Sequence, residues 1–216
     1  AWQGLFEYLN SYNQWDVLSF IEQPNSNLNH LTRLANQHGM IHRINPDKEG
    51  PILNLNKDWD DFWQDHKKMR KKIYKVKKDF SHRMEFKVAC GKELLHDYYE
   101  VEKNSWKSGK LGISKNPHTY DFYREIAHEL NDLFYVGILY LDGNPISGEI
   151  AYGSNDNLYF CHGCYHEDYK KYSPGMVSTS YFLKHFMTDS SYKKGDFLCG
   201  YAGYLTAWSD TVVQTQ

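Results

Sequence analysis

Residues 170–176 read Lys-Lys-Tyr-Ser-Pro-Gly-Met, and these are types that can hold an anion. Ser173 and Pro174 suit the start of a helix. A serine hydroxyl can accept a first-turn amide, and proline at the first helical position loses nothing by lacking an N–H. Gly175 lets a ligand approach the backbone, and Lys170 and Lys171 bring positive charge. Free amides at a helix start, with the helix dipole behind them, favour a phosphate. The same residues also suit an ordinary capped helix after a loop, and the sequence leaves both readings open. Just upstream, residues 161–166 read Cys-His-Gly-Cys-Tyr-His, which has the look of half a zinc site. In a strand, however, Cys161 and Cys164 face opposite ways, and no second close pair exists, so no metal is expected. Glu149 is a third chemical group, set in the otherwise apolar run Ser-Gly-Glu-Ile-Ala-Tyr. Half-burial there would raise its pKa, whereas a solvent-facing strand position would leave it an ordinary carboxylate.

The elements that must position these groups follow from periodicity. Residues 158–165 are aromatic and apolar between turn residues, and read as a strand. Phe182, Leu183, Phe186 and Met187 give the helix after Pro174 one apolar side. Before them, 134–141 and 145–153 read as strands joined by the Asp142-Gly143 turn, a two-residue hairpin signal. Residues 84–89 read as a strand, 91–104 and 119–133 as helices, and 196–199 and 208–215 as later strands. Residues 58–80 form the strongest helix pattern: Asp58 is an N-cap, and Trp59, Phe62, His66, Met69, Ile73, Val76 and Phe80 repeat at three and four. Its outer face carries Lys67, Lys68, Arg70, Lys71, Lys72, Lys75, Lys77 and Lys78. That face is either solvated and matched to the helix dipole, or a ridge for an anionic substrate such as RNA. The first part of the chain reads helix (1–13), strand (15–21), helix (27–38), then strands or extended arms at 40–44 and 51–55 around a turn. A faint echo joins residues 5–20 to residues 182–200, since both run helix then strand with Asp-x-Leu; two related units would leave such a trace.

With 216 residues and 41% hydrophobic content the chain can bury a large core. A net charge of −2 gives no global field that selects nucleic acid or membrane. No apolar run approaches the ~20 residues of a membrane span. Four scattered cysteines in a chain of this size point to reduced thiols and a cytoplasmic location. No signal peptide is visible, and the chain starts at Ala1 rather than Met.

Strand, two helices, a three-strand antiparallel meander, a phosphate-type loop, helix, strand: from Met84 onward this order resembles the GNAT acyltransferase fold. The phosphate loop of that family reads Arg/Gln-x-x-Gly-x-Gly/Ala, and residues 170–175 take its place with Lys170 for Arg/Gln and Ser173 for the first Gly. The chain is more closely similar to the GNAT subfamily first associated with cellulose biosynthesis, which is related to the Fem-type aminoacyltransferases. The likeness rests on Ser105-Trp106-Lys107, on Leu-Tyr-Leu-Asp-Gly-Asn-Pro-Ile at 139–146, on Tyr-Ser-Pro-Gly at 172–175 and on Asp-Phe-Leu-Cys-Gly at 196–200. It covers about residues 57–208. Members of that subfamily resemble two GNAT units in tandem. The resemblance thus implies an α/β (α+β) chain: part of a first unit over 1–56, a basic connecting helix over 57–83, and a mixed, mostly antiparallel sheet flanked by helices over 84–216. The exposed edge of a partial first unit would invite a homodimer. One departure touches chemistry: Tyr204 and Trp208 keep the family pattern, but Ala202 and Leu205 replace its acid and lysine.

The resemblance implies acetyl-CoA or another acyl-CoA as donor, in a bacterial enzyme. Its diphosphate would lie on the amides of Tyr172, Ser173, Pro174, Gly175 and Met176 beside Lys170 and Lys171. Its pantetheine would pair with the strand near Cys164 and Tyr165. The acceptor would be a small-molecule or cell-envelope-precursor amine, with Ser105, Trp106 and Lys107 in the loop that shapes its site. Direct attack needs a base, a donor for the leaving thiolate and amides for the oxyanion. Glu149 is the base candidate and His162 the second, although a lone histidine is more often structural. Tyr204 is the donor candidate by analogy with a GNAT tyrosine. Two rivals remain: a Fem-like enzyme whose donor is an aminoacyl-tRNA, the one case in which nucleic acid is expected, and a non-catalytic protein that keeps the fold.

Overall fold

The computed structural model describes residues 2–12, 15, 17–20, 25–45, 49–80, 82–108, 112–198 and 205–214. The chain divides into two compact units, one of Ala1–Ile52 with Cys199–Gln216 and one of Leu53–Leu198. The first begins with helices α1 (Trp2–Ser11) and α2 (Asn25–Gln37). Phe6, Leu31, Leu34 and Ala35 are buried between them, with Trp2, Phe20 and Met40 packed alongside. No strand forms among the described residues of 15–21. Trp15 instead donates its indole N–H to the Leu9 carbonyl at 2.6 Å, and Phe20 stacks on Phe6 and meets Trp2 edge-on. Trp15 and Phe20, two of the residues that suggested a strand, are spent on the helix pair, while Val17 is exposed. Residues 40–44 are likewise not a strand. β1 (Glu49–Asn54) follows.

In the second unit Asp58 caps α3 (Trp59–Asp65), accepting from the amides of Asp60 and Asp61 at 2.7 and 3.2 Å. α4 (Lys67–Phe80) comes next, so the single helix expected over 58–80 is two. The break is at His66 (φ −93°, ψ 44°), whose ring Nδ1 is bonded to the Phe62 carbonyl at 2.7 Å and competes for a helix acceptor. The inward stripe survives the break: Trp59, Phe62 and Ile73 are buried.

β2 (Met84–Cys90), α5 (Leu95–Lys103) and α6 (Pro117–Leu130) lead to a meander of β3 (Phe134–Leu141), β4 (Asn144–Ser154) and β5 (Asn157–Tyr165). Asp142 and Gly143 both take positive φ (51° and 77°), the conformation that a two-residue hairpin turn requires. α7 (Pro174–Asp189) then crosses over to β6 (Lys194–Asp196), which pairs parallel with β5. The result is a mixed, mostly antiparallel sheet in the order β2-β3-β4-β5-β6, flanked by helices. One face meets α5 and α6 through Leu95, Tyr98, Val136, Ile138, Ile150 and Cys164. The other meets α7, where Phe160, Phe182 and Phe186 pack ring against ring. Gly137 admits Phe182 to that face, since a Cβ there would fall 2.7 Å from its ring. β6 is shorter and earlier than the strand expected at 196–199. β7 (Thr211–Gln214) starts three residues later than expected, after a turn that buries Trp208, and pairs with Glu49, Gly50, Pro51 and Ile52 of β1 in the first unit. No helix among the described residues is long and apolar enough to cross a membrane.

Candidate active site

Glu149 lies mid-way along β4, opposite Gly137 of β3 and Gly163 of β5. Residues directly opposite in an antiparallel pair share a face, and both neighbours lack a side chain. The carboxylate folds over Gly163, where a Cβ would fall 2.6 Å from Oε2. From α7, Thr179 donates its hydroxyl to Oε1 at 2.7 Å. The side chain is part-buried, and its carboxyl group is packed among protein atoms. Burial pushes the pKa up to about 8, against smaller downward pulls from the Thr179 hydrogen bond and the Lys107 charge. A carboxyl near neutrality can accept a proton and release it again, which is what a general base requires.

His162 belongs to the other face. It pairs with Ile150, which packs in the α5–α6 core, and its Nε2 shares a hydrogen bond with the Tyr123 hydroxyl of α6. Burial, helped by Lys107, pushes its pKa down to about 4, so the ring is neutral at physiological pH. Tyr123 is pushed up to about 12, chiefly by burial. The two base candidates are therefore on opposite sides of the sheet. Lys107 is close enough to act on Glu149, His162 and Cys164 alike. It sits in the turn after α5, which Ser105 pins by accepting the Lys107 amide at 3.1 Å and donating to the Glu102 carbonyl at 2.8 Å. Trp106 is exposed beside it.

A bulge interrupts β5. Ile150 pairs with His162 and Ala151 with Phe160, leaving Cys161 without an opposite residue. The strict alternation expected between Cys161 and Cys164 is therefore broken. Cys164 is buried, and its carbonyl accepts from the Ser147 hydroxyl at 2.7 Å. Among the described residues no three His, Cys, Asp or Glu side chains gather as a metal would need. β5 pairs with β6 only through Asn157, Leu158 and Tyr159. From Phe160 to Tyr165 no described strand lies along that edge.

The stretch after β5 winds into a 3-10 turn, Glu167–Tyr172, before α7. Ser173 stands at the N-cap of α7 in the left-handed region (φ 51°, ψ 50°), and its hydroxyl caps nothing, contrary to expectation. A side-chain cap is made from a β-region backbone, which the left-handed Ser173 does not have. Ser173 donates its amide to Lys170 at 3.0 Å and Met176 donates to Ser173 at 3.0 Å, while Pro174 has none to give. Among residues 173–176 the Gly175 amide is left without a described partner. Lys170 pairs with Glu167 at 3.4 Å, and the Lys171 ammonium lies 4.8 Å from the Tyr172 ring centroid. Tyr204 lies outside the described residues. Thr179, Gly163 and Tyr123 were not singled out from sequence; the first two emerge only once strand register and the packing of α7 are known.

A family model described as the acetyltransferase (GNAT) domain matches residues 67–205, well over half of the chain. The chain belongs to the GNAT acetyltransferase domain family. The GNAT match opens at the start of α4 and takes in β2 to β6 with α5, α6 and α7. Among solved structures the GNAT domain is similar to FemX, with a TM-score of 0.64 at 10% identity, covering 90% of this chain and 68% of that one. It is also similar to the C-terminal domain of a lysylphosphatidylglycerol synthetase from Agrobacterium fabrum (0.60, 10%, 89% and 64%) and to L-PGS from Bacillus licheniformis (0.57, 11%, 89% and 64%). At these identities the likeness is one of fold. The chain spans about two thirds of the length of each. No curated protein matches it.

Proposed function

We propose that this GNAT domain is an acyl-CoA-dependent N-acyltransferase in which an amine attacks the acyl carbonyl directly. The reading is carried by Glu149, a packed carboxyl with a pKa of about 8 on the strand next to β5, whose far edge from Phe160 on pairs with no described strand. The amine nitrogen bonds to the thioester carbon as its proton passes to Glu149, and collapse of the adduct expels the thiolate. An extended pantetheine suits the edge from Phe160 on, near Cys164 and Tyr165, which no described strand pairs, because its amides can continue the sheet. The diphosphate has the Gly175 amide, the positive end of α7 and the exposed Lys170 and Lys171 available to it, with Ser173, Pro174 and Met176 shaping the turn. Lys107, with Ser105 and Trp106, borders the acceptor. Tyr204 remains the candidate that protonates the thiolate. The finer likeness to the cellulose-biosynthesis-associated subfamily rests on the motifs at 105–107, 139–146, 172–175 and 196–200, and a cell-envelope-precursor amine acceptor follows from it.

A second reading, in which the acyl group arrives on tRNA, is favoured by α4. Lys67, Lys68, Lys71, Lys72, Lys75 and Lys78 are exposed, and none has an acidic partner among the described residues. Titration calorimetry with CoA, and filter binding of tRNA at 50 and 200 mM salt, separate the two. CoA binding, with release of free thiol when acetyl-CoA and an amine are supplied, supports the first. Tight tRNA binding that persists at the higher salt, without CoA binding, replaces it with the second.

A further inference from the structure

A hydroxyl has one hydrogen, and that of Thr179 has two acceptors. Its Oγ1 lies 2.7 Å from Glu149 Oε1 and 2.9 Å from the carbonyl oxygen of Gly175, one turn earlier in α7. Thr179 is 6% exposed, so bulk water does not settle the choice. We propose that Thr179 is the positioning residue that lets the Glu149 carboxyl gain and lose a proton without moving. The inference rests on the reading of Glu149 as the base.

The two protonation states use the same three groups differently. With Glu149 ionised, the hydroxyl donates to Oε1, a charge-assisted bond of the stronger kind. The Gly175 carbonyl does not suffer, because it remains an ordinary acceptor of the helix ladder. With Glu149 protonated, the carboxyl O–H donates to Oγ1 and the threonine hydrogen turns to the Gly175 carbonyl. Every proton then still has an acceptor, and the change needs only rotation of one hydroxyl. A buried carboxyl without such a partner would be stranded in one state or the other. Among the described residues the surroundings offer no substitute. Gly163 and Gly137 beside it carry no side chain, and Lys107 contributes charge across space. Tyr98 of α5 and Cys164 of β5 interact with Glu149 only electrostatically, and Cys164 packs in the core of the other face.

The test compares Thr179→Val with Thr179→Ser in the full chain. The protonated-carboxyl band of glutamate is followed by infrared difference spectroscopy across pH, and Glu149→Gln identifies the band. Thr179→Val should move the Glu149 midpoint upward by about one unit or more, since a hydrogen bond to the charged form is lost. Thr179→Ser should restore it to within a few tenths. The pH profile of acyl transfer should shift in parallel, with kcat lowered and KM little changed. An unchanged midpoint in Thr179→Val overturns the proposal. A shifted midpoint without a shifted rate profile keeps the tie between the two residues and removes Glu149 as the base. If circular dichroism shows that Thr179→Val does not fold, Thr179→Ala is read in its place.

Discussion

Glu149 and His162 stand one residue out of register on neighbouring strands and point to opposite faces of the sheet. One proton path cannot use both. The α7 face, with Gly163 under the carboxylate and Thr179 bonded to it, is the built one. Glu149→Gln should therefore lower kcat by about 10²-fold or more, the scale of a lost general base, and leave acyl-CoA affinity nearly unchanged. His162→Gln should cost far less. Parent rates should climb through about pH 8, where the carboxyl ionises. Initial rates from pH 6 to 9 on the three proteins check this; equal losses in the two variants would refute the assignment.

Stability should fall between pH 6.5 and 8. The folded Glu149 holds its proton up to about 8, whereas the unfolded chain releases it near 4.5. The folded state binds more protons across that window, so raising the pH favours unfolding. His162 acts on the acid side. Its folded pKa is about 4 against 6.5, so the unfolded chain binds more protons there, and stability falls as pH drops from 6.5 towards 4. Denaturant midpoints should fall from pH 6.5 to pH 8 in the parent and much less in Glu149→Gln.

Gly163→Ala should disable the site while sparing the fold. The added methyl would meet Glu149 Oε2 at 2.6 Å, closer than real contacts allow. The carboxylate must swing off Thr179 and lose its hydrogen bond. The expected result is a loss of kcat of about tenfold or more, with a stability cost of about 1–3 kcal/mol. Equilibrium unfolding and rates on the same preparation test it, and a fully active variant would show that the carboxylate need not lie where it does.

CoA binding should respond unequally at the start of α7. Lys170→Ala should weaken it modestly, because the ammonium is solvent-exposed, screened and already shared with Glu167. Gly175→Val should weaken it strongly, because the branched side chain would crowd the first-turn amide that has no partner among the described residues. Calorimetric titration of CoA into both variants decides the point; unaltered binding by Gly175→Val would remove the phosphate from this helix end.

Much of this fold is legible in the sequence because its signals are local. The strand Phe134–Leu141 has the bounds its sequence predicts, the Asp142-Gly143 turn falls where its residues place it, and α7 starts at Pro174, the first helical position that proline suits. Glu149 stood out as a charge in an apolar strand. What escaped has no local mark. The bulge at Cys161 adds a residue without altering composition, yet it resets which side chains share a face. The left-handed conformation of Ser173 has no mark in its residue type. Thr179 looks like any helical threonine until α7 is laid across β4. The strand expected at 15–21 failed for the converse reason: a short apolar run serves a helix pair as well as a sheet, and tertiary packing chose.

The pairing of β1 with β7 ties the order of synthesis to the order of assembly. Glu49, Gly50, Pro51 and Ile52 emerge from the ribosome well before their partners Thr211, Val212, Val213 and Gln214. At about 5–20 residues per second that edge waits on the order of ten seconds or more. A waiting strand edge can be claimed by a neighbouring nascent chain. Slower initiation, which spaces ribosomes along the message, should therefore raise the soluble yield.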